Sequence, residues 1–149
     1  MKILLEREIY KMTKEQLLEL LKTIKVDKEE FWLLSTGALT LRGIYKEARD
    51  LDIAVTDKGL EQLNQNYQLK KKENDWYIVT DKIECVCDGK KENLKYQPEL
   101  VGDYYVQNLH EYLEFLEGSS RKKDQDKIEI VKELHRDKAV EILKMRGAN

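Results

Sequence analysis

The 149-residue sequence predicts an α/β chain of the α+β kind, a small mixed sheet flanked by helices. Three observations predict it. Leu17, Leu20, Leu21 and Ile24 recur at helical spacing, and Leu51, Ile53 and Val55 alternate with Asp50, Asp52 and Ala54 at strand spacing. The two patterns then interleave along the chain, in the order helix, strand, helix, strand, helix, several strands and two final helices. Hydrophobic residues make up 41% and charged residues 38%, enough to bury a core and too balanced for a disordered or fibrous chain. The 27 basic and 29 acidic residues leave a net charge of −2, so total charge does not draw the surface toward nucleic acid.

Each element has its own signal. Thr13 and Gln16 can form a capping box ahead of the first helix. Asp27-Lys28-Glu29-Glu30 reads as a turn or short helix, Phe31-Trp32-Leu33-Leu34 as a short apolar strand, and Ala38 to about Tyr45 as a short helix. After the strand around Leu51 to Val55, Asp57 is the expected cap of a helix carrying Leu60 and Leu63. Trp76 to Val79 and Ile83 to Cys87 read as a hairpin across Thr80-Asp81-Lys82, and Tyr104-Tyr105-Val106 as one more strand. Asn108 caps a helix that Gly118 stops, and a last helix is expected near Ile128. No long linker interrupts the pattern. The expectation is one domain over residues 1–149, with C-terminal helices 108–146 packed on it.

Charges at Lys2, Glu6, Arg7 and Glu8 stand where a secretory signal needs apolar residues, and no run approaches roughly 18 apolar residues. A cytoplasmic chain with no membrane segment is expected. Cys85 and Cys87, two apart in a strand, are badly placed for a mutual disulfide and read as reduced. His110 and His135 read as surface or helix-packing residues, and Lys70-Lys71-Lys72 as a solvated edge.

The acids carry the chemistry. Asp50 and Asp52 flank one apolar residue, so a strand there puts both carboxylates on one face and Leu51, Ile53 and Val55 on the other. Like charges on one face repel, and a hard divalent cation such as Mg²⁺ or Mn²⁺ relieves that repulsion through oxygen ligands. Glu84 sits in a later strand on the side opposite Ile83 and Cys85. If the two strands are neighbours, three carboxylates converge in a cluster suited to metal-assisted phosphoryl transfer. Solvated acids at a strand end are the plain alternative. Ser35-Thr36-Gly37 lies between a strand and a helix, where small residues let amides and hydroxyls approach phosphate oxygens, or simply make the turn.

Leu33-Leu34-Ser35-Thr36-Gly37-Ala38-Leu39, Gly43 and Arg49-Asp50-Leu51-Asp52-Ile53 together resemble the start of a nucleotidyltransferase of the DNA polymerase beta superfamily. Its minimal members, and those of toxin–antitoxin or abortive-infection systems, are the most similar. The resemblance runs on through Val106 to Leu113 and Arg121 to Ile128 and covers about Phe31 to Leu134. It implies a nucleotidyltransferase-like fold, Asp50, Asp52 and Glu84 as metal ligands and catalytic acids, and Ser35, Thr36 and Gly37 as the phosphate-binding turn. Lys123, with Asp124, is implied to approach the nucleotide or brace the acids. The implied cofactor is Mg²⁺ or Mn²⁺, and the implied reaction moves a nucleoside monophosphate from a nucleoside triphosphate to a hydroxyl acceptor. That acceptor could be a small molecule, a protein or an RNA end, and Tyr104 and Tyr105 could line its cleft or serve as cross-strand packing. The departures are a glycine one step late, Lys46 where arginine is frequent, Ala48 where a hydroxyl is frequent, and Glu84 in place of the commoner aspartate. Because the family includes noncatalytic members, a partner-binding, antitoxin-like role is the alternative, and an oligomer is compatible with either.

Overall fold

The computed structural model describes residues 11–145, and the side chains of residues 11–133. The chain divides into two units, the first ending at Gln107 and the second beginning at Asn108. The first contains β1 (Met12–Thr13), α1 (Lys14–Thr23), β2 (Phe31–Leu33), α2 (Ser35–Leu41), β3 (Glu47–Ala48), β4 (Leu51–Val55) and α3 (Asp57–Asn66). It continues through β5 (Lys70–Lys71), β6 (Trp76–Ile78), β7 (Ile83–Cys87), β8 (Glu99–Val101) and β9 (Tyr104–Val106). The second contains α4 (Leu109–Glu117) and α5 (Lys122–Met145).

Seven strands form one sheet in the order β5-β6-β7-β4-β2-β9-β8, while β1 and β3 pair separately. The sheet is mixed. β4 runs parallel to β7 and β2 parallel to β9, and the remaining pairs are antiparallel. Period-two alternation explains the core: Phe31, Leu33, Leu51, Ile53, Val55, Ile83, Cys85 and Val106 are buried together, and Leu17, Leu21, Ala38, Leu41 and Leu63 from the helices join them. Each fully buried leucine or isoleucine contributes about 2 kcal/mol of transfer free energy, which makes this face decisive for register.

Helix starts follow local hydrogen bonding. The Thr13 hydroxyl accepts the Gln16 amide at 3.2 Å, and the Gln16 side-chain oxygen accepts the Thr13 amide at 2.9 Å, completing the expected capping box. For α3 the cap is Thr56, whose hydroxyl accepts the Gly59 amide at 3.0 Å, and Asp57 falls in the first turn. That corrects the expectation for Asp57: Thr56 is the last extended residue, so its side chain is the one in reach of the free amide. Gly59 lets α3 start close against the chain, since a Cβ there would lie 2.5 Å from the Glu30 carbonyl oxygen.

Other boundaries move for similar reasons. α2 begins at Ser35 instead of Ala38, because Leu34 is its extended cap residue. α5 begins at Lys122, ahead of the apolar stripe near Ile128, with Asp124 in its first turn. The short strands β1, β3 and β8 lack an apolar period long enough to announce themselves. In the second unit, Leu109, Tyr112 and Leu116 form the buried stripe of α4, and Asn108 caps it by accepting the His110 amide at 2.9 Å. No helix among the described residues is long and apolar enough to cross a membrane.

Candidate acid site

β4 lies between β2 and β7, so both of its edges are hydrogen-bonded and its register is fixed on both sides. Asp52 is the direct register partner of Glu84 across the parallel pair β4–β7. Facing partners on adjacent strands project from the same sheet face, which is the face opposite Leu51, Ile53, Ile83 and Cys85. Asp50 has the parity of Asp52 but lies one residue ahead of β4, where pairing stops at Leu51 and Ile83. The Leu51 amide donates to the Lys82 carbonyl at 2.8 Å and anchors this end of the strand. Asp52 is half-buried, and Asp50 is exposed.

Burial, the Glu84 charge and then the Asp50 charge push the Asp52 carboxyl above its ordinary pKa, against a lowering influence from Lys72. Asp52 therefore senses both of the other acids. Lys72 Nζ lies 2.8 Å from Glu84 Oε1, an ion pair in which the lysine and glutamate side chains are 42% and 33% exposed. Hydrogen bonding to Glu84, with the charges of Glu84 and Asp52, raises the Lys72 ammonium pKa against the effect of burial. A chain of register partners explains the reach: Lys70 faces Ile78, Ile78 faces Glu84 and Glu84 faces Asp52, and Lys72 has the parity of Lys70. Lys72 is thus the charged residue that sequence reasoning missed. Its signal was its parity in the lysine run, legible only once β5 is known to border β6.

The turn before α2 is tied to the acid strand by its backbone. The Leu34 amide donates to the Asp52 carbonyl at 2.9 Å, and the next amide, that of Ser35, donates to the Gln107 side-chain oxygen at 3.1 Å. Ser35 holds a left-handed backbone with φ of 50°, a conformation costly for a residue with a Cβ. Gly37 is buried, and a Cβ on it would come within 3.3 Å of Leu51 Cδ1, so core packing accounts for the glycine. Arg42, just past α2, donates through Nη2 to Glu99 Oε1 at 2.9 Å and to the Gln107 carbonyl at 3.2 Å. Neither Gln107 nor this Arg42–Glu99 pair is marked by any local pattern.

The other expected residues are placed as follows. Tyr104 is buried, with its ring centroid 6.4 Å from that of Phe31, and Tyr105 carries Lys91 Nζ 4.4 Å from its ring centroid. Lys123 is an exposed residue of the second unit. Near it Asp124 is buried, accepting from the Ser119 hydroxyl at 2.6 Å and from Arg121 Nε at 2.7 Å. Burial pushes the Asp124 carboxyl up, but the Ser119 and Arg121 hydrogen bonds and nearby positive charge outweigh it and hold the pKa low. Both cysteines are free; burial, helped by the neighbouring Cys87, pushes the Cys85 thiol up to about 12, an unreactive setting. His110 is exposed, and the side chain of His135 lies outside the described residues.

Asp50, Asp52 and Glu84 carry only oxygen donors, the kind a hard divalent cation takes, and Asp52 and Glu84 are register partners on one sheet face. In the present arrangement, no group of three His, Cys, Asp or Glu among the described residues is close enough to hold an ion, and Glu84 is engaged by Lys72. No family model, curated protein or solved structure matches the chain.

Proposed function

We propose that the chain is a nucleotidyltransferase-like domain of the DNA polymerase beta superfamily type. It would take a nucleoside triphosphate with Mg²⁺ or Mn²⁺ and transfer a nucleoside monophosphate to a hydroxyl acceptor. The observation that carries this reading is the Asp52–Glu84 register pair, with Asp50 one step before the strand and acting electrostatically on Asp52. The order of elements supports it too: strand β2, helix α2 one residue later, strand β4 carrying Asp52 with Asp50 just before it, and a parallel neighbour bearing the third acid.

In this reading Asp50, Asp52 and Glu84 hold the cation. When bound, it would supply neutralisation of phosphate charge. Asp52, disfavoured as an isolated anion in its half-buried place, is the donor most relieved by it. The first turn of α2, Ser35–Gly37, would offer the phosphates its Ser35 and Thr36 side chains, since the Ser35 amide already serves Gln107. A cytoplasmic setting belongs to the same proposal.

Isothermal titration of the protein with Mg²⁺ and each nucleoside triphosphate tests it. The expected result is metal-dependent nucleotide binding that Asp50→Ala and Asp52→Ala each abolish. One observation favours a second reading, a noncatalytic protein of the same fold that binds a partner protein: Glu84 already has a cation in Lys72. Absence of metal-dependent binding to every nucleotide supports that reading over the first.

A further inference from the structure

We infer that Gln107 is a latch that holds Ser35 in its left-handed backbone, and that the buried Arg42–Glu99 ion pair keeps the latch closed, so that a disturbance at the edge strand β8 reaches the first turn of α2. Left-handed backbone is costly for a residue with a Cβ and persists only where its surroundings impose it. Ser35 has a φ of 50°, and its amide donates to the Gln107 side-chain oxygen at 3.1 Å. Gln107 is itself fixed through its main chain. Its amide donates to the Leu33 carbonyl at 2.8 Å, and its carbonyl accepts from Arg42 Nη2 at 3.2 Å. Ser35 opens α2 and Arg42 closes it, about two helical turns apart, so both ends of the helix meet the same residue.

The same guanidinium nitrogen also donates to Glu99 Oε1 at 2.9 Å, with the two side chains only 12% and 16% exposed. Arg42 Nε is buried with no hydrogen-bond partner among the described residues, so the placement of the guanidinium depends on Glu99 and the Gln107 carbonyl. Glu99 faces Val106 across the β8–β9 pair, next in the chain to Gln107. A change at β8 therefore moves the guanidinium, then Gln107, then the Ser35 amide. Two states result. In the closed one the amide sits on Gln107 and Ser35 is left-handed; in the open one the amide is released and Ser35 takes the ordinary right-handed helical backbone. The neighbouring Leu34 amide donates to the Asp52 carbonyl at 2.9 Å, which puts the switching turn beside the acid strand.

The experiment measures, on the full-length protein, the change in urea midpoint that Ser35→Gly produces in four backgrounds: wild type, Gln107→Ala, Gln107→Glu and Glu99→Gln. The coupling between the Ser35 amide and α protons, which reports φ, is the second readout. Gln107→Ala removes the latch and keeps the main-chain ties of residue 107, so Ser35 relaxes within a folded protein. Ser35→Gly is expected to raise the midpoint in wild type and in Gln107→Glu, which still accepts the amide. In Gln107→Ala it is expected to lower the midpoint, because glycine then relieves no strain and only weakens the helix. Glu99→Gln is expected to shrink the gain and to move the Ser35 coupling toward the right-handed helical value. No gain in wild type overturns the inference. An equal gain in Gln107→Ala overturns it too, and makes packing of α2 the source of the strained backbone. A gain in Glu99→Gln equal to that in wild type overturns the link to β8. Should Glu99→Gln not fold, Glu99→Asp, which keeps the charge and shortens its reach, decides the same point.

Discussion

Asp52 and Glu84 face each other across two parallel strands in the interior of the sheet, where each strand is held by neighbours on both sides. Carboxylates so placed repel, and their backbone positions cannot separate without shifting a register that also positions Leu51, Ile53, Ile83 and Cys85 in the core. The repulsion is therefore built into the fold.

That repulsion has a pH signature. The folded-state pKa of Asp52 is raised, so the native state holds its proton more tightly than the unfolded chain does. Its contribution to stability is full below the ordinary aspartate value of 3.8 and is lost as pH climbs through the raised folded value. Asp52→Asn, which cannot ionise, is expected to be more stable than wild type at pH 7 by up to about 1 kcal/mol, a Tm rise of about 3 °C. Thermal melts at pH 7 and pH 3 check this; the gain should vanish at pH 3.

Ser35 makes a separate prediction. Its left-handed backbone, φ of 50°, suits glycine better than serine. Relief of about 1 kcal/mol of strain, less the entropy glycine adds to the unfolded chain, leaves Ser35→Gly more stable by about 0.5 kcal/mol. A β-branched Ser35→Val should lose more than about 1 kcal/mol. Urea unfolding of the pair decides it: equal stabilities would show that the turn relaxes freely.

At Gly59 the effect is steric. A methyl placed there meets the Glu30 carbonyl oxygen at 2.5 Å and the Val55 side chain at 3.2 Å, and one of these neighbours is backbone. Gly59→Ala is expected to destabilise by about 1–3 kcal/mol despite alanine's higher helix propensity. Chemical denaturation beside Gly118→Ala, where the nearest atom is 3.5 Å away, separates crowding from propensity.

Local signals carried much of the fold. The alternation through Leu51 to Val55, the hairpin of Trp76 to Cys87 and the capping box at Thr13 depend on neighbours in sequence, so they were legible before any contact was known. Short strands such as Glu47–Ala48 and Glu99–Val101 exist because a partner strand is present, and nothing in two or three residues announces a partner. The same division runs through the candidate site. Asp50 and Asp52 stood out by spacing and Glu84 by isolation among apolar residues, while Lys72, Gln107 and Arg42 gain their roles from residues 12, 72 and 57 positions away in the chain.

By itself the sequence determined which faces are apolar, where the helices and longer strands run, and which carboxylates lack an apolar reason to be where they are. Only the tertiary structure decided that β7 adds parallel to β4 in the register that pairs Asp52 with Glu84, and that Lys72 from the sheet edge reaches the same row. The physical reason is range. Periodicity and capping are settled by torsions and hydrogen bonds within a few residues, whereas strand order is settled by burying one common core, a sum over the whole chain that no local pattern contains.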